Sequence, residues 1–208
     1  MIRLQNIMKK ERTIDIIKKR RSIRYFSNKE IDIKDLNEII SAGTYAPSPK
    51  NRQPWMFIVI TENEKMNMIN VIQKGLEREK NGEGVMKNYI STLPGAFNTL
   101  EIMRQAPITI FVFNTSCKGN QFEIDLGERL FQISNVQAIG ACIQNMLLTA
   151  TEKNIGSLWI CDIFYAYQDI CEWLNVDYQL VSAISFGYPK KYPQYRQLKS
   201  LEEVTKWM

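Results

Sequence analysis

The run Arg20-Arg21-Ser22-Ile23-Arg24 sets three guanidiniums and a hydroxyl within five residues. Guanidinium forks match phosphate oxygens two bonds at a time, and a serine hydroxyl adds another donor. A basic run this short also serves as an ordinary solvated helix end. Its surroundings must decide between those readings. Upstream, Ile14, Ile16 and Ile17 give Thr13 to Lys19 the apolar stripe of a short helix, with Thr13 as candidate N-cap. Downstream, Tyr25-Phe26-Ser27-Asn28 reads as a connector. Asp32 then starts a second helix in which Leu36, Ile39 and Ile40 repeat at helical spacing, stopping near Ala42-Gly43.

Ala46-Pro47-Ser48-Pro49-Lys50-Asn51-Arg52-Gln53-Pro54 follows. Its three prolines fix φ and remove backbone donors, so it reads as a stiff loop. Trp55 to Thr61 is apolar almost throughout, as a buried strand is. Glu62 to Lys80 reads as an exposed helix, and Asn81 to Ala96, with Gly82, Gly84, Pro94 and Gly95, as a mobile excursion. Pro107 to Asn114 is a second strand, closed by a Lys118-Gly119-Asn120 turn. The longest helical pattern runs from Phe122 to Lys153, and its middle, Ala138 to Leu148, is apolar on nearly every face. Such a helix is either enclosed in the core or buried in part by a second subunit. Asn154-Ile155-Gly156 ends it, with Gly156 suited to a left-handed cap. Strand Ser157 to Cys161, helix Tyr167 to Leu174 and strand Leu180 to Phe186 complete the layer. Lys190 to Met208 is a basic, extended tail with a short helix near Leu201 to Trp207.

At 208 residues the chain reads as one domain over 1–208, long enough for a sizeable core, with the 45% apolar and 24% charged residues of ordinary globular proteins. No apolar run reaches membrane-spanning length, and Met1-Ile2-Arg3-Leu4-Gln5-Asn6 does not read as a secretory signal. The net charge of +5 fits an anionic ligand better than a nucleic acid. Cys117, Cys142, Cys161 and Cys171 form no C-x-x-C pair, and the sequence contains no histidine. Zinc centres, closely ligated Fe–S clusters and His-dependent triads are therefore unsupported, and reduced cytoplasmic thiols are expected. Neither G-x-G-x-x-G nor G-x-x-x-x-G-K-[ST] occurs, so side chains would have to hold any phosphate.

Arg20-Arg21-Ser22-Ile23-Arg24-Tyr25-Phe26, followed by Ala46-Pro47-Ser48 and Asn51-Arg52-Gln53-Pro54-Trp55-Met56-Phe57, resembles the FMN-dependent nitroreductase family. Ile143 to Ala150 with Gly156-Ser157-Leu158-Trp159-Ile160 is similar to that family's central helix and following strand. Ser185-Phe186-Gly187-Tyr188-Pro189 and Leu201-Glu202-Glu203-Val204 are similar to its C-terminal signature. Residues 74 to 105 carry little of the likeness. The resemblance implies an α+β fold: a mixed central sheet flanked by helices, a long central helix and a C-terminal extension, in an intertwined homodimer with FMN at the subunit interface.

The same resemblance assigns residues. Arg20, Arg21 and Ser22 would hold the FMN phosphate and ribityl chain. Arg24 would lie near the pyrimidine edge, where a fixed cation favours reduced flavin. Pro47, Ser48 and Asn51, supported by Gln53, would reach FMN bound mainly by the other subunit. Trp159, Ile160 and Cys161 would run along the isoalloxazine with a backbone N–H near Cys161 facing N5, although relatives carry Gly or Glu in this stretch. Trp159 is read as either core or flavin edge, and the Cys161 thiol as a small hydrophobe. Arg196 and Lys199 are both candidates for a further phosphate contact. The implied activity is ping-pong transfer of hydride from NADH or NADPH to an electron-poor small-molecule acceptor, a nitroaromatic or quinone. Other flavin chemistry, such as dehalogenation or dehydrogenation, and a non-catalytic flavin-binding role are the alternatives.

Overall fold

The computed structural model describes residues 12–119 and 124–208. The opening hexapeptide, Asn120 of the expected turn and Phe122 at the expected helix start lie outside the described residues.

The elements are α1 (Thr13–Lys19), α2 (Ile33–Thr44), β1 (Trp55–Ile60), α3 (Glu62–Lys80), α4 (Leu93–Gln105), β2 (Ile108–Asn114), α5 (Leu126–Glu152), β3 (Gly156–Ile160), α6 (Tyr167–Leu174), β4 (Gln179–Gly187) and α7 (Leu201–Val204). Short 3-10 turns cover Pro49–Asn51, Lys87–Thr92 and Asp162–Ala166. The strands form one sheet in the order β1-β2-β4-β3, and each neighbouring pair is antiparallel. Its mixed character rests on a single parallel bridge, Ser22 to Ser157, at the β3 edge.

Period-two alternation gives the sheet two buried faces. Ile110 and Val112 of β2 join Ile184 and Phe186 of β4 under α2 and α5. Phe111 and Phe113 join Leu180 and Ala183 under α3, α4 and α6. All of β2 is buried, as expected for a strand with partners on both edges.

α2 is capped by Asp32, whose carboxylate accepts the Lys34 N–H at 2.8 Å. It lies along α5, and Lys153 joins the two, pairing with Asp35 at 2.9 Å and Glu38 at 2.5 Å. α5 begins with a capping box between Asp125 and Glu128, and its 27 residues span about 40 Å. Ala138, Ile139, Cys142, Ile143, Met146 and Leu147 are buried. Leu126, Leu130, Phe131, Ile133 and Val136 in its first turns are exposed. The helix is thus internal over its second half and an apolar surface over its first.

Several expectations are corrected. Arg12 occupies the N-cap position of α1 without a side-chain cap, and Thr13 is already helical. Ile155 N–H donates to Ala150 O at 2.8 Å and Asn154 N–H to Thr151 O at 3.1 Å, so α5 ends in a Schellman motif. Its left-handed residue is Asn154, at φ 58°, not Gly156. Gly156 opens β3 and is small for another reason: a Cβ there would lie 2.8 Å from Ile23 Cγ1 and 2.9 Å from Pro189 Cγ. The excursion expected over Asn81 to Ala96 instead includes a 3-10 turn and the start of α4. Pro94 sits in the first helical turn, where its missing N–H costs nothing, and Leu93, Ala96, Leu100 and Met103 are buried. Glu79, 2% exposed, fixes the preceding bend by accepting the N–H groups of Val85 and Met86. The terminal helix ends at Val204, three residues before Trp207.

Candidate functional site

β3 is an edge strand, and the arginine stretch docks on it. Ile23 N–H donates to Ser157 O at 2.9 Å, which forms the bridge from Ser22 to Ser157. The Ser157 backbone groups therefore point away from β4. By the two-residue period of a strand, the Trp159 groups and the Cys161 N–H point the same way, while the Cys161 carbonyl turns into the next turn and accepts the Phe164 N–H at 3.1 Å. Beyond Ser157 no described strand pairs with this edge. The result is a line of open backbone groups about 13 Å long, at 3.3 Å per residue, with guanidiniums at one end and Cys161 at the other.

At the basic end, Arg20, Arg21, Ser22 and Arg24 line a cavity of about 300 Å³ with Tyr195 and Arg196 of the tail. α1 ends at this point because Arg20 turns extended while its N–H still donates to Ile16 O. Arg21 is braced: Nη1 donates to Lys18 O at 2.6 Å and Arg20 O at 2.7 Å, and the guanidinium stacks over the Tyr195 ring at 4.6 Å. Arg24 Nη1 donates to Ser22 O at 3.3 Å. Among the described residues no carboxylate pairs with Arg20, Arg21, Arg24 or Arg196. Burial, and then the charge of Arg21, pulls the Arg20 pKa below the ordinary guanidinium value. Like charges held together and partly desolvated without a counterion form an anion site, since a bound anion would relieve both effects.

The other expected residues fall as follows. Arg196 lines the cavity and Lys199 does not. Trp159 is 40% exposed, with its ring edge over Gly140 of α5, so it belongs to the surface beside the open β3 edge and not to the core. Ile160 is 2% exposed, packs beneath the sheet and pairs with Ala183 of β4, so its side chain does not reach the open edge. Cys161 is exposed, and desolvation followed by the charge of Asp162 pushes its thiol up, away from the nucleophilic thiolate.

Pro47, Ser48, Asn51 and Gln53 do not line the cavity of their own chain. Lys50, Asn51 and Gln53 all adopt positive φ, near 50°. Gln53 N–H donates to Ser48 Oγ at 2.9 Å, and Arg52 stacks over Phe131 of α5 at 4.5 Å. Three left-handed non-glycine residues within four positions mark a loop whose shape is imposed by its contacts. Its polar groups face outward beside the exposed apolar turns of α5. Sequence reading missed Tyr195, and nothing in the local pattern signals a residue that reaches back to Arg21.

The sequence model of the nitroreductase family matches residues 17–188. The chain belongs to that family. A protein of Archaeoglobus fulgidus, whose name groups it with NADH dehydrogenases and NAD(P)H nitroreductases, is 27% identical over 186 residues, which cover 86% of this chain and 87% of that one. A BluB-like flavoprotein from Clostridium difficile 630 superimposes with a TM-score of 0.75 at 26% identity, covering 95% and 99% of the two chains. Rat iodotyrosine deiodinase 1 is 25% identical over 151 residues, 72% of this chain and 51% of that protein. The nitroreductase match takes in the arginine stretch, the proline loop and β3, and stops before the tail that supplies Tyr195 and Arg196. Among the described residues no helix is long and apolar enough to cross a membrane.

Proposed function

We propose that this nitroreductase-family chain binds FMN and acts as an NAD(P)H-dependent oxidoreductase on electron-poor small molecules such as nitroaromatics and quinones. One observation carries the reading: four guanidiniums without a carboxylate partner among the described residues stand at one end of an open strand edge whose other end presents the Cys161 N–H. FMN, when bound, supplies acceptance of hydride from NADH or NADPH and its return to an acceptor. The chain supplies binding and orientation. Arg20, Arg21 and Ser22 grip the phosphate, with Arg196 closing the tail side. Arg24 faces the pyrimidine edge, Trp159 flanks the ring, and the Cys161 backbone meets its reactive edge. No side-chain acid or base is required, in keeping with a sequence without histidine.

In the proposed homodimer, the first turns of α5 pack against a second copy. Leu126, Leu130, Phe131, Ile133 and Val136 form an apolar strip that the chain leaves exposed, and strips of this kind mark interfaces. Pro47, Ser48, Asn51 and Gln53, beside that strip, then reach the FMN held by the partner. The likeness to rat iodotyrosine deiodinase 1 supports a second reading, reductive dehalogenation of an aromatic substrate at the same site.

The purified protein should be yellow, or take up added FMN, and bleach anaerobically with NADH or NADPH. The bleached protein is then offered nitroaromatics, quinones and halogenated phenols. Failure to take up FMN sinks both readings. Bleaching with return of colour only on a halogenated phenol selects the second.

A further inference from the structure

Cys161 leads into the 3-10 turn Asp162–Ala166, and that turn is fastened to elements outside the arginine site. Thr99 in α4 donates its hydroxyl to Asp162 Oδ2 at 2.5 Å. Tyr165 donates its hydroxyl to Tyr89 O at 2.8 Å. On the other side Ala166 is pressed against α3 at Gly75, where a Cβ would lie 2.5 Å from Ala166 Cβ. Asp162 adjoins Cys161 across one peptide bond, so fixing its carboxylate restricts the rotations that aim the Cys161 backbone, held at φ −109° and ψ −11°.

We propose that Thr99 is a positioning residue for the flavin: through Asp162 it holds the Cys161 N–H along the open edge of β3, toward the place of flavin N5. The inference rests on the flavin reading above. A donor aimed at N5 favours oxidised flavin, whose N5 accepts a hydrogen bond, over reduced flavin, whose N5 carries a proton. Loosening that donor therefore raises the midpoint potential. Thr99 lies in α4, outside the arginine stretch, the proline loop and β3.

The test is the midpoint potential of the FMN-loaded protein, with FMN affinity measured in parallel. Thr99→Val removes the hydroxyl and keeps the volume. It should shift the oxidised-to-reduced equilibrium about tenfold toward reduced flavin, ~30 mV for a two-electron couple, with oxidised FMN bound up to about tenfold more weakly and reduced FMN unchanged within about twofold. Thr99→Ser restores the hydroxyl and should restore the potential. Thr99→Ala serves if the valine variant does not fold, with the same shift expected. An unchanged potential in the hydroxyl-free variant overturns the inference, as does a serine variant that shifts as far. Wild-type protein that takes up no FMN overturns the flavin reading itself, and this inference with it.

Discussion

Arg20 and Arg21 occupy neighbouring positions and do different work. Arg21 is already engaged, with two carbonyls accepting from it and a tyrosine ring beneath it. Arg20 is part-buried beside it with no carboxylate partner among the described residues, which makes it the guanidinium with the most to gain from an anion. Charge-assisted hydrogen bonds contribute about 1.5–3 kcal/mol each, so Arg20→Ala should weaken FMN binding by roughly ten- to a hundredfold. Its thermal unfolding without FMN should barely move. FMN titration and melting of the apoprotein check the two halves separately, and unchanged affinity would refute the phosphate role. Arg21→Ala should also lower the melting temperature, because it releases the Tyr195 tail.

At the scale of elements, the sequence was legible where one element's own pattern decides its fate. Ile14, Ile16 and Ile17 read as one helix face, Leu36 and Ile39 as another, and β1 to β4 as apolar runs; all form near the expected places. Reading failed where a residue has two uses. Pro94 and Gly95 look like loop residues, but proline is suited to a helix's first turn, and the buried Leu100 and Met103 hold the rest of α4. Gly156 looked like a helix cap, yet Asn154 takes the left-handed position while Gly156 makes room for Ile23. The arginine cavity was half legible: Arg20 to Arg24 are contiguous, whereas the Tyr195 stack joins positions that no local periodicity connects. The Asn154 cap gives a direct check. Asn154→Ala should cost about 1 kcal/mol in urea unfolding, because a Cβ without a side-chain amide is disfavoured in the left-handed region, while Asn154→Gly should be neutral or stabilising.

The whole molecule carries a pH signature from groups buried in their neutral forms. Burial pushes the Cys142 thiol up to about 12, that of Cys171 to about 11 and the Tyr167 hydroxyl to about 12. In the unfolded chain these groups lose protons near their ordinary values of roughly 8.5 and 10. The unfolded state then binds fewer protons than the native one, so stability falls as pH rises from about 9 toward 12. Urea melts should be flat in this respect below pH 8.5 and decline above it, with a shallower decline in Cys142→Ala. The exposed strip on α5 makes a second prediction at this scale. Sedimentation should give a dimer, and Leu130→Asp should give monomers that lose FMN on dilution; a flavin-loaded wild-type monomer would count against the shared site.

The cavity that holds the guanidiniums is walled by residues 17–24 on one side and 193–198 on the other. Synthesis proceeds from the N-terminus, so the arginines emerge long before their second wall, with the whole sheet made in between. In the proposed site, capture of FMN therefore waits for that second wall, and a chain not yet extended to Pro193 has only one side of the phosphate grip. A chain stopped after Lys191 should keep its far-ultraviolet circular dichroism and release FMN readily. That second wall is a stretch with no regular secondary structure over Tyr192 to Lys199.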